Sequence, residues 1–547
     1  MARAAAQARS HGPGLCELSP APACAVDHRG SLLAILKTFR HLLDRNLRFH
    51  AQDVALIYDV RRYTFRELTE RAFRLADALH RLGLRLQDRM AMLAMNCPEY
   101  IEFYWAAEAS GLIAVPLNFR LAAPELAQII NDCAPLSLTF EAQYADTVES
   151  IRAQLSSVRH FICIGSPKPG WAIDYAQLLE RGDPAGPSLS PGARDLVTIL
   201  YTSGTTGRPK GVMHTHEAAM WIALMQTIEM SCDVETRFLV VMPMYHLGGR
   251  AMSSGQHLRG GTVVLQRKFD PLELVRAIER ERVTQVHLAP TMLQAVLDLP
   301  DIERYDLSSV RSLMHAAAPI STALRRRALQ KFGPILIDGY GSTETGGTML
   351  RRGQAKLDGT PRQLQRLASV GQPMLHCEAR IVDDHDVEVP LGAVGELCFR
   401  SPQTMSGYWN NSIATAETLR SGWLHTGDLA RMDEDGFVYL VDRKKDMIIS
   451  GGENIYSREV EEALMSHEIV ADAAVIGMPD PYWGESVLAI IVCKSGATAD
   501  SAALVAHCRA HIAGYKTPKR IEFVDQLPRL PSGKVSKVEL RQRFLKP

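Results

Sequence analysis

A chain of 547 residues, 46% hydrophobic and 22% charged, exceeds one ordinary domain and has the composition of a soluble globular protein. Its 61 Lys+Arg match 61 Asp+Glu, so the basic excess that a nucleic-acid partner selects is missing. The ten cysteines are scattered, with no CxxC pair and no close Cys/His grouping, which argues against structural zinc or a disulfide scaffold and suits a reducing, cytoplasmic compartment.

Residues 1–30 are Ala/Arg/Pro-rich with no acid before Glu17, and read as a disordered or targeting tail. No apolar run approaches the roughly 18 residues of a membrane span. From about Asp195, short β-branched runs alternate with amphipathic helices. Strand candidates fall at 196–201, 262–265, 283–288, 310–314 and 335–338. Asp270-Pro271 reads as an N-cap and first-turn pair opening a helix, with Leu274, Val275 and Ile278 on one face. Such alternation predicts an α/β class with a mostly parallel sheet covered on both faces, and ligands at the carboxyl ends of its strands. After about Gly371 the pattern changes to short strands and turns, as at 395–400, which predicts a small β-subdomain. A charged connector, Asp442-Arg443-Lys444-Lys445-Asp446, follows a strand at 437–441. The reading is therefore a large domain at 31–441, a hinge at 442–446 and a smaller one at 447–547.

Chemistry concentrates in a few strings. Thr202-Ser203-Gly204-Thr205-Thr206-Gly207-Arg208-Pro209-Lys210-Gly211 packs hydroxyls, glycines and a lysine into a loop after a strand. Backbone N–H groups freed by glycine, with hydroxyl donors and a cation, suit a polyphosphate. The order is not that of the nucleotide-hydrolase P-loop. Tyr340-Gly341-Ser342-Thr343-Glu344-Thr345 sets hydroxyls beside a carboxylate at a strand end, as a Mg²⁺-bound phosphate requires. Trp423-Leu424-His425-Thr426-Gly427-Asp428 offers a carboxylate able to grip a diol. Pro531-Ser532-Gly533-Lys534 ends the series. Each string alone also fits a plain turn.

Taken in this order, the strings resemble the adenylate-forming superfamily of acyl- and aryl-CoA synthetases, peptide-synthetase adenylation domains and luciferases, over the chain from about residue 30 to its end. The resemblance implies stacked, mostly parallel sheets with helices and a β-subdomain in the first domain, then a mobile α+β second domain. It implies Mg²⁺ as cofactor, with ATP, CoA and a small carboxylic acid as substrates. By resemblance, Thr202, Ser203, Gly204, Thr205, Thr206, Gly207 and Lys210 cradle phosphates. Ala317, Asp338, Gly339 and Tyr340 sit at the adenine, Thr343 at the α-phosphate, and Glu344 on the metal. Asp428 and Arg443 take the ribose, and Lys534 enters the site as the main catalytic residue of adenylation. His246 is a gate between acyl pocket and pantetheine tunnel, Lys445 the hinge, and Gly451 and Gly452 the face that meets CoA.

The acid is the open point. Residues 242–249 hold no carboxylate, which argues against an amino-acid substrate. His315 and Ala316 stand where the family more often has Ser-Gly, changing the wall between adenine and acyl group. The order of preference is a medium- or long-chain fatty acid, then an aryl or steroid-side-chain acid, then an acyl-AMP ligase loading a carrier protein. A luciferase-type oxygenase and a catalytically inactive homologue are rivals. A homo-oligomer stays open.

Overall fold

The long strand–helix series folds into two mostly parallel sheets in a computed structural model that describes residues 36–202, 209–318, 320–451, 453–498, 500–530 and 533–545. The expected tail at 1–30, the loop residues Ser203, Gly204, Thr205, Thr206 and Gly207, and Gly452 lie outside the described residues. From Lys37 onward the chain packs as one unit.

Nine strands form one sheet, whose centre runs Leu336–Tyr340, Ser312–His315, Gln285–Leu288, Arg237–Val240, Thr262–Leu265 and Val54–Tyr58, all parallel. The anticipated helix is Pro271–Glu281, and Asp270 Oδ1 accepts from the N–H groups of Leu272 and Glu273 at 3.0 and 2.9 Å. Its Leu274, Val275 and Ile278 are buried. An eight-stranded sheet is built around Arg89–Leu93, Ile113–Leu117, Ser137–Glu141 and Leu196–Thr202, and one side of it ends in the antiparallel strands Lys210–Thr215 and Gly407–Tyr408.

The core between the sheets is filled by the helices Phe65–Arg81 and Pro98–Ser110. Pro98–Ser110 is buried at every position but Glu99, as a helix without a polar face must be. Its two buried carboxylates are both paired, Glu102 with Arg71 Nε at 2.6 Å and Glu108 with Arg250.

Beyond Gly371 an antiparallel five-stranded sheet forms the expected β-subdomain, including Gly395–Arg400, Trp423–Met432 and Val438–Arg443. Asp442 and Arg443 still belong to its last strand, so the charged run turns only after Arg443. The final hundred residues carry a separate five-stranded sheet and their own apolar clusters.

Candidate active site

Strand Leu336–Tyr340 runs parallel to Ser312–His315, with His315 opposite Asp338, and delivers Asp338, Gly339 and Tyr340 to the carboxyl edge of the sheet. A side chain at Gly339 would meet the Met314 methyl, the mobile end of a flexible side chain that would have to move aside. The Asp338 carboxylate is engaged internally by Arg325, with His315 Nδ1 at 3.4 Å. Ala317, just beyond strand Ser312–His315, is exposed and left-handed at φ 74°, a conformation that favours glycine.

The Tyr340 hydroxyl donates to Asp428 Oδ2 at 2.5 Å, and Arg443 Nε lies 3.1 Å from Asp428 Oδ1. Asp428 and Arg443 are register partners on neighbouring antiparallel strands, which fixes this pairing in the backbone. Burial, then the Asp428 charge, pushes the Tyr340 phenol well above its ordinary pKa. Thr426-Gly427-Asp428 form a bulge within strand Trp423–Met432, clamped by Glu396, whose Oε1 accepts from Gly427 N at 3.1 Å, and by Lys444 N, which donates to Gly427 O at 2.9 Å.

The turn after Tyr340 is closed by Ser342 N on Thr345 O at 3.1 Å, while Met405 N donates to Glu344 O at 2.8 Å. His214 Nε2 lies 2.9 Å from the Thr343 carbonyl, to which it donates. Burial pushes His214 down to about 4, so it acts as a neutral donor. Glu344 Oε1 accepts from the Tyr408 hydroxyl at 2.9 Å, and Lys210 Nζ stands 4.9 Å from the centre of the Tyr408 ring. Thr202 and Lys210 face each other at the mouth of the hairpin that carries the Ser/Thr/Gly loop. The second oxygen of Glu344 has no hydrogen-bond partner among the described residues.

Lys534 arrives from the C-terminal domain on a loop closed by Leu530 N to Lys534 O at 2.7 Å. Crowding by protein atoms, then the Arg443 charge, holds its ammonium below the usual pKa, while Asp428 and Glu344 pull upward. The side chain keeps an exposed edge, and solvent blunts the shift. Lys534 and Arg120 both bear on His246, which burial pushes down to about 4. His246 is the N-cap of helix Leu247–Leu258, and its ring packs 4.3 Å from that of Tyr245.

In the charged run 442–446, Lys444 Nζ meets Asp384 at 2.8 Å and Glu396 at 3.3 Å, and Asp446 meets Arg541 at 2.9 Å. Burial lowers the Lys445 pKa. Gly451, at φ 59°, packs against Trp483, and its N–H donates to Trp483 O at 2.8 Å. The structure thus gathers Tyr340, Glu344, Asp428, Arg443, Lys534 and His246, and sets Gly451 apart. His214, Tyr408 and Arg120 were not legible as site residues. Among the described residues no group of three His, Cys, Asp or Glu could hold a metal unaided, and no helix is long and apolar enough to cross a membrane.

The AMP-binding enzyme family matches residues 43–409, and the AMP-binding enzyme C-terminal domain matches 459–534. A feruloyl-CoA synthase of an Amycolatopsis species is 40% identical over 483 residues, covering 88% of this chain and 94% of that one. A medium/long-chain fatty acid–CoA ligase of Mycobacterium tuberculosis is 34% identical over 534 residues, covering 95% and 92%. Among solved structures, an anthranilate CoA ligase in complex with anthranoyl-AMP aligns with a TM-score of 0.84 at 28% identity, covering 93% of this chain and 97% of that one.

Proposed function

The chain belongs to the AMP-binding enzyme family as an AMP-forming acid–thiol ligase, and from that premise we propose that it converts a ring-bearing carboxylic acid into its acyl-adenylate and then its CoA thioester. The observation that carries the chemistry is Lys534, which leaves the C-terminal domain to share one electrostatic field with Asp428 and Glu344.

In the first step an acid oxygen bonds to the α-phosphorus of ATP and pyrophosphate departs. Negative charge concentrates between the entering carboxylate and the phosphate. The Lys534 ammonium offsets that charge, and Asp428 with Tyr340 and Arg443 holds the sugar so that the phosphorus stays in line. Thr343 follows the Tyr340 turn toward the phosphate, and Lys210 with the loop 203–207 takes the leaving pyrophosphate. The free oxygen of Glu344 fits Mg²⁺, which binds through one or two carboxylates together with substrate phosphates. Bound there, the ion would neutralise phosphate charge. In the second step the CoA thiol attacks the carbonyl, the thioester forms and AMP leaves. Gly451 and Gly452 are the face offered to pantetheine, Lys445 is the pivot, and His246, neutral near pH 7, positions the carbonyl region without adding a charge.

The sequence alone ranked a fatty acid first. The relative named for a ring acid is 40% identical and the fatty-acid relative 34%, which reverses that order. The fatty-acid reading stays second, because that relative spans 95% of this chain. Pyrophosphate release with ATP and Mg²⁺, across aryl, steroid and straight-chain acids with and without CoA, tests both. Turnover of ring acids with thioester formation is the expected result. Turnover confined to alkyl acids would sink the ring-acid reading, and a single pyrophosphate burst unrelieved by CoA would point to a carrier protein as acceptor.

A further inference from the structure

Strand Gln285–Leu288 lies between Arg237–Val240 and Ser312–His315, parallel to both, so its carboxyl end lies between those of the strands that lead on to His246 and to Ala317. Alternation puts Val286 and Leu288 into the core with helix Pro271–Glu281, and turns His287 to the opposite face. There it meets the first turn of helix Leu247–Leu258, where a methyl group on Gly248 would lie 3.1 Å from His287 Cε1. His287 is 3% exposed, and neither ring nitrogen has a hydrogen-bond partner among the described residues. The Gly248 backbone is near enough to pull the ring's pKa upward as a hydrogen-bond partner does, yet it meets neither nitrogen at full bond geometry. His246 Nε2, across Gly248, is also unpartnered. His315, on the next strand, points to the other face and contacts Asp338, so it belongs to the scaffold.

A buried polar group without a partner costs stability and calls for an explanation. Burial pushes His287 down to about 4, leaving a neutral ring with one donor and one acceptor nitrogen. Glycine at 248 lets this helix turn lie directly against the ring, since a methyl group there would crowd it. We propose that His287 is a specificity-determining residue that hydrogen-bonds a polar substituent on the ring of the acid, so that hydroxylated ring acids are selected over their unsubstituted analogues. This rests on the ring-acid reading above. A phenolic hydroxyl can donate to one imidazole nitrogen or accept from the other, whereas a bare ring leaves both unsatisfied.

The test compares kcat/KM for 4-hydroxycinnamate and cinnamate in the wild type, His287→Leu and His287→Gln, reading pyrophosphate and thioester. The wild type favours the hydroxylated acid by about tenfold or more. His287→Leu brings the ratio near one, chiefly by losing the hydroxylated acid, and His287→Gln restores part of it. A wild-type ratio near one, or an unchanged ratio in His287→Leu, overturns the inference and leaves the ring-acid reading intact. Should His287→Leu fail to fold, the wild-type ratio and His287→Gln still decide. Wild type that turns over alkyl acids and neither cinnamate overturns both.

Discussion

At the scale of single residues, charge placed where charge will develop decides the outcome. Lys534 is held among Arg443, Asp428 and Glu344 before any substrate enters. Removing one preorganised electrostatic contact of this kind costs about 10²–10³ in rate. Lys534→Ala is expected to lose that factor in adenylation while acyl-adenylate supplied ready-made still reacts with CoA near the normal rate. Equal loss in both assays would remove Lys534 from its role. Asp428 has one oxygen on Tyr340 and one near Arg443, and each can accept again from a ribose hydroxyl. A hydrogen bond to a charged group is worth about 1.5–3 kcal/mol, so Asp428→Ala should raise KM for ATP by about ten- to a hundredfold. Steady-state kinetics at saturating acid measures this, and an unchanged KM would contradict it.

Elements explain what the residues alone left hidden. The carboxyl-end strings announced themselves because glycines, hydroxyls and acids crowd together at strand ends. His214 did not, because it lies inside a β-strand, four residues after Lys210, and its partner is a backbone carbonyl far along the chain. Tyr408 likewise reaches Glu344 only through folding. The third of the chain before Asp195 yielded no elements on reading. Helix Pro98–Ser110 has no polar stripe, and strands Arg89–Leu93 and Ile113–Leu117 are short and almost wholly buried, so neither shows an alternating pattern. Strand ends beyond Asp195 came within a few residues, because turn residues punctuate them. The hairpin strand also carries a prediction. His214→Leu leaves the Thr343 carbonyl without its donor and should cost about 1–3 kcal/mol of stability. It should also raise the Mg²⁺ concentration needed for half-maximal rate, since Glu344 follows directly. Denaturant melts and a Mg²⁺ titration read the two effects; a shift in stability alone would confine His214 to packing.

The whole molecule buries many neutral histidines: His214, His246, His257, His287 and His315 are each pushed by burial to about 4, and His216 to about 3. An unfolded histidine titrates near about 6.5. As pH falls below that value the unfolded chain takes up protons that the folded chain refuses, so stability drops between about 6.5 and 4 and is unaffected above. Thermal melts should therefore be flat above about pH 7 and fall steeply through this window. His257→Gln, away from the site, should make the fall shallower, and an unchanged slope would place the loss in other groups.

Ion pairs tie the charged run to both sides, Lys444 to Asp384 and Glu396 of the β-subdomain and Asp446 to Arg541 of the C-terminal domain, through charges that are partly wet. At about 1 M salt the Debye length shrinks to about 3 Å, comparable with these separations, and partly exposed pairs weaken. On the proposed mechanism, ionic strength acts as a reversible dial on how long Lys534 dwells over the nucleotide. Turning it up should slow adenylate formation more than thiol transfer, dissecting the two half-reactions in the unmutated enzyme.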